Sequence, residues 1–209
     1  PVLVELFTAQ GCRGCLEANA YIGKLAERPG VVALTYSVDY WDYLGWTDTF
    51  ARPEYAERQR AYVQRLKLRE PYTPQVVVDG DEEAQGLKTG EIDRLIQAAA
   101  ESPRNPPDIL FIGKRRVDVG TGRAGRGGAD VWLIRYDPRQ VEVAVKAGDN
   151  RGETVVQTNV VRQIKRLGTW RGRPHAYRVP PPPADGLKTI LVVQSPRGGR
   201  VLAVAKAKS

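Results

Sequence analysis

The chain is poor in the residues that metal and haem chemistry require. Its 209 residues include two cysteines, one histidine and no methionine. A closed zinc site takes four Cys or His ligands, and Cys12, Cys15 and His175 are too few to build one. Covalent haem attachment wants a His directly after the second Cys of a Cys-x-x-Cys, and Leu16 stands there instead. No run of 18 or more apolar residues occurs, which excludes a membrane-spanning helix on hydropathy. The absence of methionine carries no functional meaning. The chain opens on Pro1, and a cleaved signal peptide or a trimmed start is the expectation.

What is present is globular. Apolar residues make up 42% of the chain and charged residues 27%, well away from the disordered class. The length suits one large domain or two small ones. The net charge of +8 is unevenly spread: residues 1–102 hold 11 Lys/Arg and 16 Asp/Glu, whereas residues 103–209 hold 21 and 8. A step from −5 to +13 at "ESPRNPPD" (Glu101 to Asp108) suggests a boundary in a Pro-rich linker. No dense Lys/Arg cluster with interleaved aromatics follows, so the basic half reads as solvated strand faces and no nucleic-acid partner is expected.

"VLVELF" (Val2 to Phe7) is a short buried strand interrupted by Glu5. From Cys15, the residues Ala18, Ile22 and Leu25 recur on one helical face, and Pro29-Gly30 stops that helix. "VVALTYSV" (Val31 to Val38) is a second strand, giving a βαβ unit. Half of the 16 aromatic residues then fall between Tyr36 and Tyr62. Pro53 suits the first turn of a helix over Ala51 to Leu66. These rings either pack that helix on the sheet or make "DYWDYLGW" (Asp39 to Trp46) a groove beside the thiols, with Tyr40 and Trp41 contacting a peptide-like partner. "YTPQVVVDGDEEAQG" adds a strand after Thr73-Pro74, an Asp79-Gly80 hairpin and a partner strand, and Thr89 is a plausible cap for a last helix. The order β-α-β-α-β-β-α is that of the thioredoxin arrangement.

The two thiols lie in "GCRGC" (Gly11 to Cys15). A two-thiolate Cu(I) site remains chemically open, since thiolates suit soft metals, but no Met or nearby His supports it. A structural disulfide would close a loop too short to constrain the unfolded chain much. The redox reading has a mechanism. With the helix starting near Cys12, its free N–H groups and the Arg13 cation both favour a Cys12 thiolate, below the free value of about 8.5. Cys15 lies on the apolar face, so Cys12 would attack a partner disulfide and Cys15 would resolve the mixed disulfide. Glu5 either accepts the Cys15 proton from a buried site or points to solvent.

With Cys12-Arg13-Gly14-Cys15 between strand and helix, and Thr73-Pro74 before a later strand, the chain resembles the thioredoxin superfamily. That resemblance implies a cis Pro74 against the Cys pair and a Thr73 backbone that hydrogen-bonds the substrate chain. The intervening Arg13-Gly14, the aromatic insert and the second half depart from thioredoxin itself. The wording "VELFTAQGCRGC", "SVDYWDYLGWTDTFARPEYAERQRAY" and "YTPQVVVDG" is similar to a bacterial family of secreted thioredoxin-like proteins, domain of unknown function 1223. The resemblance covers residues 2–100 and extends more weakly through "ADVWLIRYDP" and "NVVRQIKRLGTW". It implies export to the periplasm or beyond and supplies no substrate.

Beyond Pro107 the texture is a series of β-rich runs with turns such as Gly148-Asp149-Asn150, which favours a small antiparallel sandwich. "NVVRQIKRLG" fits a helix as well as a strand. Gly120 to Gly125 spells the dinucleotide fingerprint, but a strand rather than a helix follows, so nucleotide binding is rejected. His175 is expected in a surface loop. The expected architecture is a thioredoxin-like α/β domain over 1–102 with an insert at about 40–68, a linker at 103–107, and a mainly antiparallel β-sandwich-like domain over 108–209. The expected activity is thiol–disulfide exchange by Cys12 and Cys15 on a protein or peptide partner, with no cofactor and no metal. Arg13, Gly14, Thr73, Pro74, Glu5, Tyr40 and Trp41 are expected to bind or modulate. The alternatives are a non-enzymatic envelope binding module or a Cu(I) carrier.

Overall fold

The computed structural model describes all 209 residues. The first strand, β1 (Val2–Thr8), leads through the Cys-x-x-Cys turn into α1 (Cys15–Ala26) and β2 (Val31–Ser37). A 3-10 turn (Asp42–Leu44) and α2 (Pro53–Arg65) follow, then the hairpin β3 (Gln75–Val78) and β4 (Glu82–Gln85), then α3 (Thr89–Glu101). Pro53 opens α2 as its sequence position suggested, whereas Thr89 is the first residue of α3 and Lys88 its cap.

The remaining strands are β5 (Ile109–Ile112), β6 (Arg116–Val119), β7 (Ala129–Asp137), β8 (Val141–Ala144), β9 (Thr154–Gln157), β10 (Val160–Trp170), β11 (His175–Arg178), β12 (Lys188–Gln194) and β13 (Val201–Lys206). The "NVVRQIKRLG" segment is therefore strand β10, and His175 opens strand β11 rather than lying in a loop.

The expected pair of separate folds is overturned. One mixed eight-stranded sheet runs β13-β12-β7-β10-β2-β1-β3-β4, so strands from both halves share it. The physical reason lies at the outer edge of β2, all of whose residues are buried. An unpaired buried edge strands backbone donors and acceptors. The β9–β10 connection covers it: Thr35 N–H donates to the Asn159 carbonyl over 3.0 Å, Thr35 Oγ1 to the Thr158 carbonyl over 2.6 Å, and Asn159 Nδ2 to the Ala33 carbonyl over 2.9 Å. β10 then pairs in parallel with β2 at Val160 and Thr35.

Period-two alternation sorts β1 between two cores. Val2, Val4 and Leu6 pack with Ile22 of α1 and Ile92 of α3. Leu3 and Phe7 pack on the opposite face with Tyr55 and Tyr62 of α2, both cysteines, and Ile134, Val161 and Ile190 from the second half. A core shared in this way is a single hydrophobic unit. A smaller sheet, β11-β6-β5, packs Val117, Val119 and Tyr177 against Leu133, Leu191 and Trp170. The glycine-rich run at 120–125 serves that packing. A Cβ on Gly122 would stand 2.9 Å from the Trp170 ring, whose Nε1 donates to the Gly120 carbonyl over 3.0 Å.

Candidate redox site

Cys12 and Cys15 form a disulfide with their Cα atoms 5.4 Å apart. Helix α1 begins at Cys15, three residues later than the sequence suggested, and Gly14 is its cap residue. Cys12 to Gly14 form a turn ahead of the helix, closed by the Cys15 N–H donating to the Cys12 carbonyl over 3.2 Å. The two residues differ slightly in burial: Cys12 is 5% exposed and Cys15 is fully buried. Arg13 and Gly14 are exposed, and Arg13 pairs with no carboxylate, so an unneutralised cation sits at the rim.

Two sequence-distant segments flank this turn. The Thr73-Pro74 bond is cis, and a Cβ on Gly14 would lie 3.9 Å from Pro74 Cδ, in ordinary contact. Trp41 packs against Gly11, 3.6 Å from where a Cβ would stand, and its Nε1 donates to Thr73 Oγ1 over 2.7 Å. Trp41 and Thr73 therefore hold each other beside the disulfide. Tyr40 OH donates to Gln59 Oε1 over 3.0 Å, and burial pushes the Tyr40 phenol up to about 12. Gln59 of α2 in turn donates to the Tyr72 carbonyl and to Gln75 Oε1, which fixes the segment around Pro74. Of the aromatic segment, Tyr43 is the ring left most open, at 79% exposure.

Glu5 is buried rather than turned to solvent, but its carboxylate is engaged away from Cys15. It is fully buried, and Arg58 of α2 donates from Nε to Oε2 over 2.6 Å and from Nη2 to Oε1 over 3.2 Å. Tyr62 OH also donates to Oε1, so both carboxylate oxygens are occupied. The carboxylate is tied into an ion pair on the α2 face, and the role of acceptor for the Cys15 proton is withdrawn.

Periodicity did not reveal the polar residues that support the turn. Gln10 N–H donates to Asp48 Oδ2 over 2.8 Å, while Gln10 Oε1 accepts from Trp46 Nε1 and the Thr49 N–H, both over 3.0 Å. Gln10 Nε2 donates to Thr49 Oγ1 and to Gln157 Oε1. Asn150, in the β8–β9 connection, donates from Nδ2 to the carbonyls of Gln10 over 2.7 Å and Cys12 over 3.0 Å. The Gly148-Asp149-Asn150 turn signal located the bend and gave no hint of what the Asn side chain holds.

No three His, Cys, Asp or Glu side chains gather into a group able to hold a metal ion. A cavity of about 920 Å³ runs along α1 from Leu16 to Glu27 between Lys24, Lys188 and Lys206, and neither cysteine borders it. No helix is long and apolar enough to cross a membrane.

Fold and site together define an α/β protein with a mixed sheet and an asymmetric Cys-x-x-Cys disulfide leading into its first helix. The chain belongs to the family described as "Protein of unknown function (DUF1223)", whose model matches residues 3–194. It is also similar to the crystal structure of protein AGR_C_4864 from Agrobacterium tumefaciens, at 30% identity. That match covers 98% of this chain and 92% of the other, with a TM-score of 0.79. No curated protein matches the chain.

Proposed function

We propose that the protein is a thiol–disulfide oxidoreductase acting on a protein or peptide partner. The observation that carries this reading is the Cys12–Cys15 disulfide ahead of α1, with Cys12 slightly exposed at 5%, next to the exposed Arg13 and Gly14, and Cys15 fully buried. In the reduced protein the Cys12 thiolate attacks a partner disulfide. A mixed disulfide forms, and one partner sulfur leaves as a thiolate that takes up a proton. Cys15, deprotonated, then attacks Cys12 Sγ, restores the Cys12–Cys15 disulfide and releases the second partner thiolate. The partner gains two electrons and the protein loses them; a partner dithiol drives the same steps in reverse.

Roles for the flanking residues follow from their places. The free N–H groups of the first turn of α1 and the unpaired Arg13 both favour a thiolate at Cys12. Gly14 is exposed and Thr73 half-buried beside the buried Pro74, where a partner backbone can lie, and Trp41, Tyr40 and the open Tyr43 ring offer it apolar contact. An oxidising compartment, the bacterial periplasm or beyond, suits such a pair.

Cys15→Ser tests the reading, because it removes the resolving thiol and should leave partners attached to Cys12. Recovery from cells of dithiothreitol-sensitive adducts that Cys12→Ser abolishes is the expected result. A folded Cys15→Ser protein that carries no adduct would count against it.

A further inference from the structure

We propose that Asn150 is a positioning residue for the Cys12–Cys15 couple, reaching it from the second half of the chain. This rests on the redox reading above. Asn150 is 1% exposed, and the two protons of its Nδ2 go to the carbonyls of Gln10 and Cys12. These carbonyls bracket Gly11. No other residue beyond 102 hydrogen-bonds to the backbone of residues 9–15.

The connection that presents Asn150 is itself tied down. The Val145 N–H donates to the Glu153 carbonyl over 2.9 Å, Gly152 N–H to the Val145 carbonyl over 2.9 Å, and Glu153 N–H to the Asn150 carbonyl over 2.9 Å. Gly148 has φ +78° and packs closely on the aromatic segment, where a Cβ would stand 3.4 Å from the Leu44 carbonyl oxygen and 3.5 Å from Trp46 Cβ. At the far end of the hairpin, Gln157 bonds both Gln10 and Ser37. Asn150 therefore sits on a docked hairpin whose contacts converge on the turn that holds Cys12.

The consequence concerns the dithiol more than the disulfide. In the oxidised protein the covalent bond itself fixes Cys12 relative to Cys15. Once it is reduced, packing against Trp41 and Pro74 and the hydrogen bonds to the turn keep it in place. Two donors on the carbonyls around Gly11 hold Cys12 where Cys15 can find it, which raises the effective concentration of one thiol about the other. The relevant equilibrium is protein disulfide plus two glutathione thiols giving protein dithiol plus glutathione disulfide. Losing Asn150 loosens the dithiol and weakens reclosure, so reduction becomes easier.

The experiment is a glutathione titration of the full chain, wild type against Asn150→Ala and Asn150→Asp. The Asp side chain keeps the shape, loses both donors and adds a negative charge, so Asn150→Ala isolates the loss of the hydrogen bonds. Each variant should raise the reduction equilibrium constant by about three- to tenfold, a shift of roughly 15 to 30 mV towards less negative potential. Val119→Ala, in the separate core beneath the small sheet, loosens the fold elsewhere and should leave the potential unchanged. Folded Asn150 variants with the wild-type potential would overturn the proposal, as would an equal shift in Val119→Ala.

If neither Asn150 variant folds, side-chain amide exchange in the reduced wild type decides. Asn150 should exchange much more slowly than the exposed Asn105, and equal rates would overturn the proposal. A wild-type disulfide that does not equilibrate with glutathione at all would instead sink the redox reading, and this proposal with it.

Discussion

Arg58 Nε donates to Glu5 Oε2 over 2.6 Å, with Glu5 fully buried and Arg58 8% exposed. The same guanidinium reaches Tyr62 OH over 2.8 Å and Gln194 Oε1 over 3.0 Å, and lies 5.7 Å from the Trp132 ring centroid. Glu5 belongs to β1, Arg58 to α2 and Gln194 to β12, so one buried cation joins both halves of the chain.

Breaking that pair on one side should be costly, because a lone buried charge remains. Arg58→Met is expected to lose about 3–5 kcal/mol of unfolding free energy. Adding Glu5→Leu should recover much of it, since an apolar pair needs no partner. Urea unfolding of the two single variants and the double variant measures this, and a double variant as weak as Arg58→Met would contradict it.

Gly86 is constrained by packing and not by its backbone angles. A Cβ there would fall 2.7 Å from Pro74 Cβ and 3.2 Å from Ala18 Cβ. Gly86→Ala should therefore push Pro74 out of place, cost about 1–3 kcal/mol as overpacking does, and slow exchange with a peptide disulfide. Gly14→Ala, with 3.9 Å to Pro74 Cδ, should leave stability nearly unchanged. Comparing the two variants in unfolding and exchange assays tests the contrast.

Asp48 gives a pH signature. Burial raises its pKa from an ordinary value of 3.8, against the lowering effect of backbone N–H donors from Gln10, Phe50 and Ala51. A raised folded-state pKa means the native protein holds its proton more firmly than the unfolded chain. This contribution is full below 3.8 and is lost as pH rises from there through the raised value. The stability difference between wild type and Asp48→Asn should accordingly shrink as pH rises through that window. A difference that grows with pH would contradict the assignment.

Arg13 carries an exposed charge beside Cys12, with no carboxylate to neutralise it. Arg13→Gly should reduce the thiolate fraction of Cys12, and alkylation of the reduced protein at neutral pH should slow by about threefold. The effect should fade in high salt. An unchanged rate would remove Arg13 from the mechanism.

Local features were legible in the sequence, and long-range ones were not. Apolar runs marked β1 and β2, the spacing of Ala18, Ile22 and Leu25 marked α1, and Asp79-Gly80 marked the β3–β4 hairpin. Strand periodicity says which face a residue takes but not which strand lies beside it. The pairing of Val160 with Thr35, which merges two expected folds into one sheet, left no trace in composition. The charge step at 103–107 is real in the sequence, yet the core runs across it. Glu5 showed as an anomaly in β1, while its partner Arg58 looked like one more charge in a polar helix. Asn150 read as a turn residue because turn chemistry accounts for it locally, and only the folded hairpin brings it to Cys12.

The most direct test of thiol–disulfide exchange is the reduction potential of the wild-type Cys12–Cys15 pair. The purified protein would be equilibrated across a glutathione series and the free thiols counted. The expected result is one two-electron transition within the range of about −120 to −270 mV spanned by disulfide oxidoreductases. A pair that stays oxidised below about −300 mV, where structural disulfides lie, would contradict the redox function.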